Sequence, residues 1–227
     1  MHGLLVAVSA PSAVTDAAET IAILVLLSEL AMLRSALSRS QVRLYAFQSL
    51  CVSALGFIVA ADRHIGELYV LGSLSLVLKA FVVPAIILRV LSETSGDVAG
   101  SHRLGVASMV MFAIVLSGFG VFVVGTMPIH SKLLPVLALA IAAAVVLVAF
   151  LIVMVRSDVV SQAVGFFSLE NGVSLAGLVL AAGLPLIAEV AFLFDLLVAV
   201  VVFGILMRVH HGRSASLSTR PLEKLRG

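Results

Sequence analysis

The chain has 227 residues, 62% of them hydrophobic and 11% charged, with a mean hydropathy of +1.24. A soluble domain carries about 25% charged residues, so a water-soluble enzyme is excluded. The formal charge of +2, spread between apolar runs, lacks the clustered basic face of a nucleic-acid binder, and the single Cys51 excludes an intrachain disulfide or a multi-cysteine metal site.

A helix needs about 20 apolar residues to cross a bilayer. Seven stretches predict such helices: residues 13–33, 44–61, 66–91, 104–125, 133–155, 160–183 and 186–208. The expected fold class is all-α, a polytopic membrane protein of about seven transmembrane helices. It divides into an N-terminal four-helix region (1–125), a C-terminal three-helix region (133–208) and a basic tail (209–227). The apolar runs are continuous, whereas a membrane barrel needs alternating strands. Residues 1–10 hold His2 but no Lys or Arg, so no cleaved signal peptide is expected there.

In chain order, the first stretch is the least clean. Asp16 and Glu19 lie in its early turns, where a helix N-terminus favours acids. Glu29, five residues before Arg34, is expected to reach the nearer interface. In the third stretch, Pro84 follows Lys79 by five residues and should free a carbonyl and kink the helix. In the fifth, Ala138 with Ala142 and Ala140 with Ala144 predict close packing against a neighbour. The sixth carries Glu170 and Asn171, the latter expected to hydrogen-bond an adjacent helix. The seventh carries Glu189 and Asp195.

The connections set the orientation. Arg34, Arg39, Arg43, Arg89, Arg103, Arg156, Arg208, Arg213, Arg220, Lys224 and Arg226 fall on one side, and only Arg63 and Lys132 on the other. This positive-inside bias places the N-terminus outside and the C-terminus in the cytoplasm.

Charges inside the spans carry the chemistry, because an ionisable group at the midplane costs about 2.5–3.5 kcal/mol on insertion scales. Lys79, Glu170, Glu189 and Asp195 are the candidates for a proton or ion path. At a rise of about 1.5 Å per residue, Glu170 lies about 21 Å from Arg156 and Asp195 about 20 Å from Arg208. Two carboxylates on adjacent antiparallel helices thus share a level, and Lys79, about 15 Å from Arg89, lies within about one turn of it. Glu189 is nearer the outer boundary and faces away from Asp195. A lysine near a buried carboxylate favours its ionised form, whereas desolvation alone would protonate it.

Leu44-Tyr45-Ala46-Phe47-Gln48-Ser49-Leu50, Lys79 with Val83-Pro84, Leu169-Glu170-Asn171-Gly172, Leu186-Ile187-Ala188-Glu189-Val190 with Asp195, and the final Leu225-Arg226-Gly227 together resemble hydrogenase-4 component E. That family supplies a membrane subunit of group-4 nickel–iron hydrogenase and formate hydrogenlyase assemblies. The last three helices also resemble the small K subunit of bacterial complex I, with Glu170 matching one of its two helix glutamates and Asp195 the other. The resemblance implies a subunit that is non-catalytic on its own, in a membrane arm coupling electron transfer to proton or sodium movement. It implies no cofactor in this chain, with nickel–iron and iron–sulfur centres in partner subunits. The implied partners are peripheral hydrogenase subunits and antiporter-like and NADH-dehydrogenase-subunit-1-like membrane subunits, and the implied location is the inner (plasma) membrane. A stand-alone secondary ion transporter and a purely structural assembly subunit are the competing readings of the residues alone.

The orientation is testable directly. A reporter fused after Gly227 should behave as cytoplasmic and one inserted between His130 and Lys132 as external. A cytoplasmic signal from the second site would overturn the seven-span topology.

Overall fold

In the computed structural model, which describes residues 13–93, 105–128, 134–180 and Gly204, nearly every described residue is helical and no strand occurs among them. Helix α1 spans Ala13–Arg34 and α2 spans Ser38–Arg63. Helix α3, Gly66–Ser75, runs through a π-helical stretch, Leu76–Val82, into α4, Val83–Glu93. Helices α5, Val106–Thr126, α6, Val136–Val155, and α7, Val159–Leu180, complete the described chain.

Five helices are long and apolar enough to cross a membrane: Ser38–Arg63, Gly66–Ser92, Val106–Thr126, Val136–Val155 and Val159–Leu180. They correspond to the second to sixth expected spans. Helix α1 has the length, 22 residues, but Asp16, Glu19, Glu29 and Arg34 set it apart from these five. Apart from Gly204, the seventh expected span, 186–208, and the tail 209–227 lie outside the described residues, so the count of seven is not reached.

The helices alternate in direction. One apolar cluster joins Met32, Leu33, Val42, Val90, Met109, Val155 and Val160, which lie beside the Arg-bearing connections. A second joins Val59, Leu68, Val124, Leu134 and Leu178 at the opposite end. The ends of α1, α2, α4, α6 and α7 that lie near Arg34, Arg39, Arg43, Arg89 and Arg156 therefore gather on one side.

Helix α1 buries Ala18, Ala22, Val25, Glu29 and Met32, a 4-3-4-3 spacing. Helix α7 buries Ser161, Val164, Ser168, Asn171, Leu175 and Leu178 at the same spacing. That is the seam of left-handed helix packing, seven residues for two turns. Among the described residues, helix α5 is peripheral. Its Ile114 and Phe122 are 63% and 67% exposed, a face suited to lipid tails.

The small residues of α6 behave as their spacing predicted. Ala138, Ala140, Ala142 and Ala144 are all buried. Gly120 of α5 lies against the α6 backbone so closely that a Cβ there would come 2.9 Å from the Ala144 nitrogen. On the other side of α6, a Cβ on Gly165 would meet Ile152 at 2.9 Å and one on Gly172 would meet Val146 at 2.8 Å.

At Pro84 the expected disturbance takes the form of the π-helical stretch. Pro84 has no N–H to return to the chain, and its ring crowds the carbonyl four residues back. The backbone before it widens, so that the Val83 N–H bonds the Leu78 carbonyl, one residue further back than in an α-helix. Lys79 sits inside this stretch.

Gly120→Val should lower the stability of the purified protein by about 1–3 kcal/mol, because backbone cannot retreat as a side chain can. Gly118→Ala, two residues away with no atom within 4 Å of a new Cβ, should stay within about 0.5 kcal/mol. Denaturation in mixed detergent micelles reads both, and equal losses would overturn the close-contact argument.

Candidate functional site

Lys79 and Glu170 meet at the level their depths predicted. Lys79 Nζ lies 2.6 Å from Glu170 Oε1, with side-chain exposures of 2% and 16%. Nζ also donates to Ser174 Oγ at 3.1 Å. Glu170 and Ser174 are one turn apart on α7, so both project toward the π-helical stretch. The pair borders a cavity of about 310 Å³ between α2, α3 and α7. Its walls include Ser53, Gly56, Gly72, Ser75 and Gly177, small residues that leave the volume open. Tyr45 of α2, packed on Phe167 at 5.9 Å between ring centroids, interacts electrostatically with Glu170.

A second polar cluster lies on another face of α7. Gln48 Nε2 donates to Val25 O at 3.3 Å and to Glu29 Oε2 at 2.8 Å. Ser168 Oγ contacts Glu29 Oε2 and lies 2.9 Å from Gln48 Oε1. Asn171 Nδ2 donates to Gln48 Oε1 at 3.0 Å and to Ser49 Oγ at 2.9 Å. Glu29, Gln48, Ser49, Ser168 and Asn171 are all buried.

The same arrangement recurs two turns away. Gln41 Nε2 donates to Met32 O at 3.3 Å, and Ser161 Oγ donates to Gln41 Oε1 at 2.6 Å. Met32, Gln41 and Ser161 are each seven residues from Val25, Gln48 and Ser168. Two glutamine rungs thus tie α1 to α7 through α2, at the heptad interval of the seam.

At the basic end, Arg156 clamps two connections together. Its Nη2 donates to the carbonyls of Leu33 at 2.8 Å, Ser35 at 2.5 Å and Met32 at 3.3 Å. These carbonyls end α1, where orphan acceptors and the helix dipole both favour a cation. Asp158 Oδ1 accepts from the Ser161 N–H at 2.7 Å and caps α7. Burial pushes the Arg156 guanidinium below its ordinary value, and the charge of Asp158 opposes that shift.

Of the expected path residues, Lys79 and Glu170 come together, Pro84 ends the π-helical stretch that holds Lys79, and Asp195 and Glu189 lie outside the described residues. Asn171 bonds the adjacent α2, as expected. One expectation is corrected. Glu29 does not reach the interface: it falls on the seam of α1 and is fully buried. Arg156 lies in a connection, as expected, and is fully buried there on the end of α1. Tyr45, Gln48, Ser168 and Ser174 were not singled out as site residues. The pairs Gln41/Gln48 and Ser161/Ser168, seven residues apart, were the signal in the sequence that could have found the rungs.

Gln48→Leu keeps the bulk of the side chain but leaves the Val25 carbonyl, Glu29 and Asn171 each short of a partner. A stranded buried polar group costs about 1–3 kcal/mol, so the variant should lose at least that much stability in a detergent unfolding titration. Gln48→Glu, which keeps acceptors but removes the Nε2 donor beside Glu29, should lose more. Wild-type stability in Gln48→Leu would show that the rung does not hold the helices.

No family model matches the chain, and no solved structure matches it. The chain is similar to "Uncharacterized protein Rv0085" of Mycobacterium tuberculosis, with 33% identity over 173 residues that cover 74% of this chain and 77% of that protein. With that identity sustained over three-quarters of both chains, the all-helical protein described above belongs to the family of the Mycobacterium tuberculosis protein Rv0085.

Proposed function

We propose that this chain is a non-catalytic integral membrane subunit that carries one step of a proton path, with Lys79 and Glu170 as the groups that exchange charge. The observation that carries the reading is the 2.6 Å pair of Lys79 and Glu170, held between helices that are long and apolar enough to cross a membrane. Ionisable groups at such a position are expensive and are kept where they act on ions. Protonating Glu170 removes its charge and leaves the Lys79 ammonium, among the described residues, facing the neutral Ser174. The ammonium is then the uncompensated charge, and desolvation drives it to release a proton or to move. Its place in a π-helical stretch supports movement, because such stretches are local departures from the α-helical register and recur at functional sites.

The setting we infer is the membrane arm of a complex-I-related hydrogenase or formate hydrogenlyase-type assembly. The resemblance to hydrogenase-4 component E supports it, and so does the convergence of the segments that carry that resemblance. Gln48-Ser49 touches Ser168 and Asn171, and Lys79 touches Glu170. Redox centres then belong to partner subunits, the transported ion is a proton or sodium, and the protein lies in the plasma membrane with its C-terminus in the cytoplasm.

Lys79→Met or Glu170→Gln alone strands the other charge, at about 3–5 kcal/mol by analogy with buried pairs, so each should lower the yield of the assembly purified through a tag on this chain. Lys79→Met with Glu170→Gln should restore the yield but not proton uptake driven by redox turnover in vesicles. Full uptake in the double variant would overturn the proton-path reading. Recovery of a single monodisperse chain that moves ions without partners would favour the transporter.

A further inference from the structure

Glu29 of α1 is a fully buried carboxyl, and its surroundings differ from those of the partly buried Glu170. Among the described residues, no cation lies against it. Its partners are the amide of Gln48 and the hydroxyl of Ser168. Helices α5 and α6 carry no titratable side chain in their spans. Helix α2 brings Tyr45 and Cys51 to the interior, neither of which supplies positive charge, and α7 brings only another acid, Glu170, already paired with Lys79.

Counting hydrogens fixes where the proton lies. The Gln48 amide has one possible orientation. Its nitrogen faces the Val25 carbonyl, which can only accept, and its oxygen faces the Asn171 amide nitrogen, which can only donate. Ser168 Oγ therefore lies between two oxygens, Gln48 Oε1 and Glu29 Oε2. A serine hydroxyl has one hydrogen. If Glu29 were ionised, both of these oxygens would be pure acceptors, and one of the two contacts would hold no proton. A proton on Glu29 Oε2 satisfies both. Glu29 donates to Ser168 Oγ, Ser168 donates to Gln48 Oε1, and Gln48 Nε2 donates back to Glu29 Oε2.

We propose that Glu29 is a second proton-binding site, one that holds a proton on Oε2 at neutral pH while Glu170 is held ionised by Lys79. The two carboxyls lie on different faces of α7. Ser168 and Asn171 border the Glu29 site, and Glu170 stands between them in sequence. The site is thus a proton store next to the Lys79–Glu170 step, and it stands on hydrogen-bond geometry without requiring the hydrogenase reading.

Infrared spectroscopy of the tagged full chain, with the subunits that co-purify, separates protonated from ionised carboxyls. At neutral pH the wild type minus Glu29→Gln difference should contain a protonated-carboxyl C=O band that shifts in deuterium oxide. The wild type minus Glu170→Gln difference should contain carboxylate bands instead. Ser168→Ala removes the acceptor of the Glu29 proton and should move the band to higher frequency, which keeps the test available if Glu29→Gln fails to accumulate. A carboxylate signature for Glu29, or a band indifferent to Ser168→Ala, would overturn the proposal. The readout depends on no partner activity, so loss of the proton-path reading would leave it standing and its own failure would leave that reading intact.

Discussion

Hydrocarbon offers a buried polar group no partner, so every such group must find one within the protein. The described part of this molecule is organised by that constraint. Three polar arrangements tie its helices, and each joins elements that apolar packing alone would leave free to slide. Arg156 holds the end of α1 to the α6–α7 connection. The Gln41 and Gln48 rungs hold α1, α2 and α7 in register. Lys79 and Glu170 hold the π-helical stretch to α7. Leu packs against Leu at many offsets, but a glutamine that must meet both a particular carbonyl and a particular serine permits one.

The helices were legible because continuous apolar runs of the right length have few other outcomes. The Lys79–Glu170 contact was legible because depth is nearly one-dimensional in a bilayer: counting residues from the basic ends placed Lys79 within about one turn of the level of Glu170. What depth could not supply was the face of the helix. Glu29 was judged by its distance from Arg34, which ignores that Ala18, Ala22, Val25, Glu29 and Met32 form one stripe. The stripe points inward, and no length of side chain brings Glu29 out of it. The burial of Arg156 is not legible in the sequence, for a related reason. Basic residues in connections face water by default, but α1 ends with carbonyls that need a donor, and that need exists only once the two connections are side by side. At Pro84 the sequence located the disturbance, and only the backbone could fix its form.

Helix α7 presents a separate face to each neighbour. Ser161, Ser168 and Asn171 face the glutamines of α2, Glu170 and Ser174 face Lys79, and Gly165 and Gly172, seven residues apart, face α6. The two glycines seat α7 so close to Ile152, Val145 and Val146 that its rotation would need new space on the α6 side. The neighbour of Glu170 on the other side is different. The π-helical stretch is wide, its register already departs from the α-helix, and the cavity beside it is open. On the proposed reading, a change of charge at Glu170 acts between a fixed helix and a soft one, so that displacement would fall on the Lys79 side, while Asn171, Ser168 and Glu29 would stay in their network. On that reading, packing rather than the charges themselves decides which of the two polar sites could move were a proton to arrive.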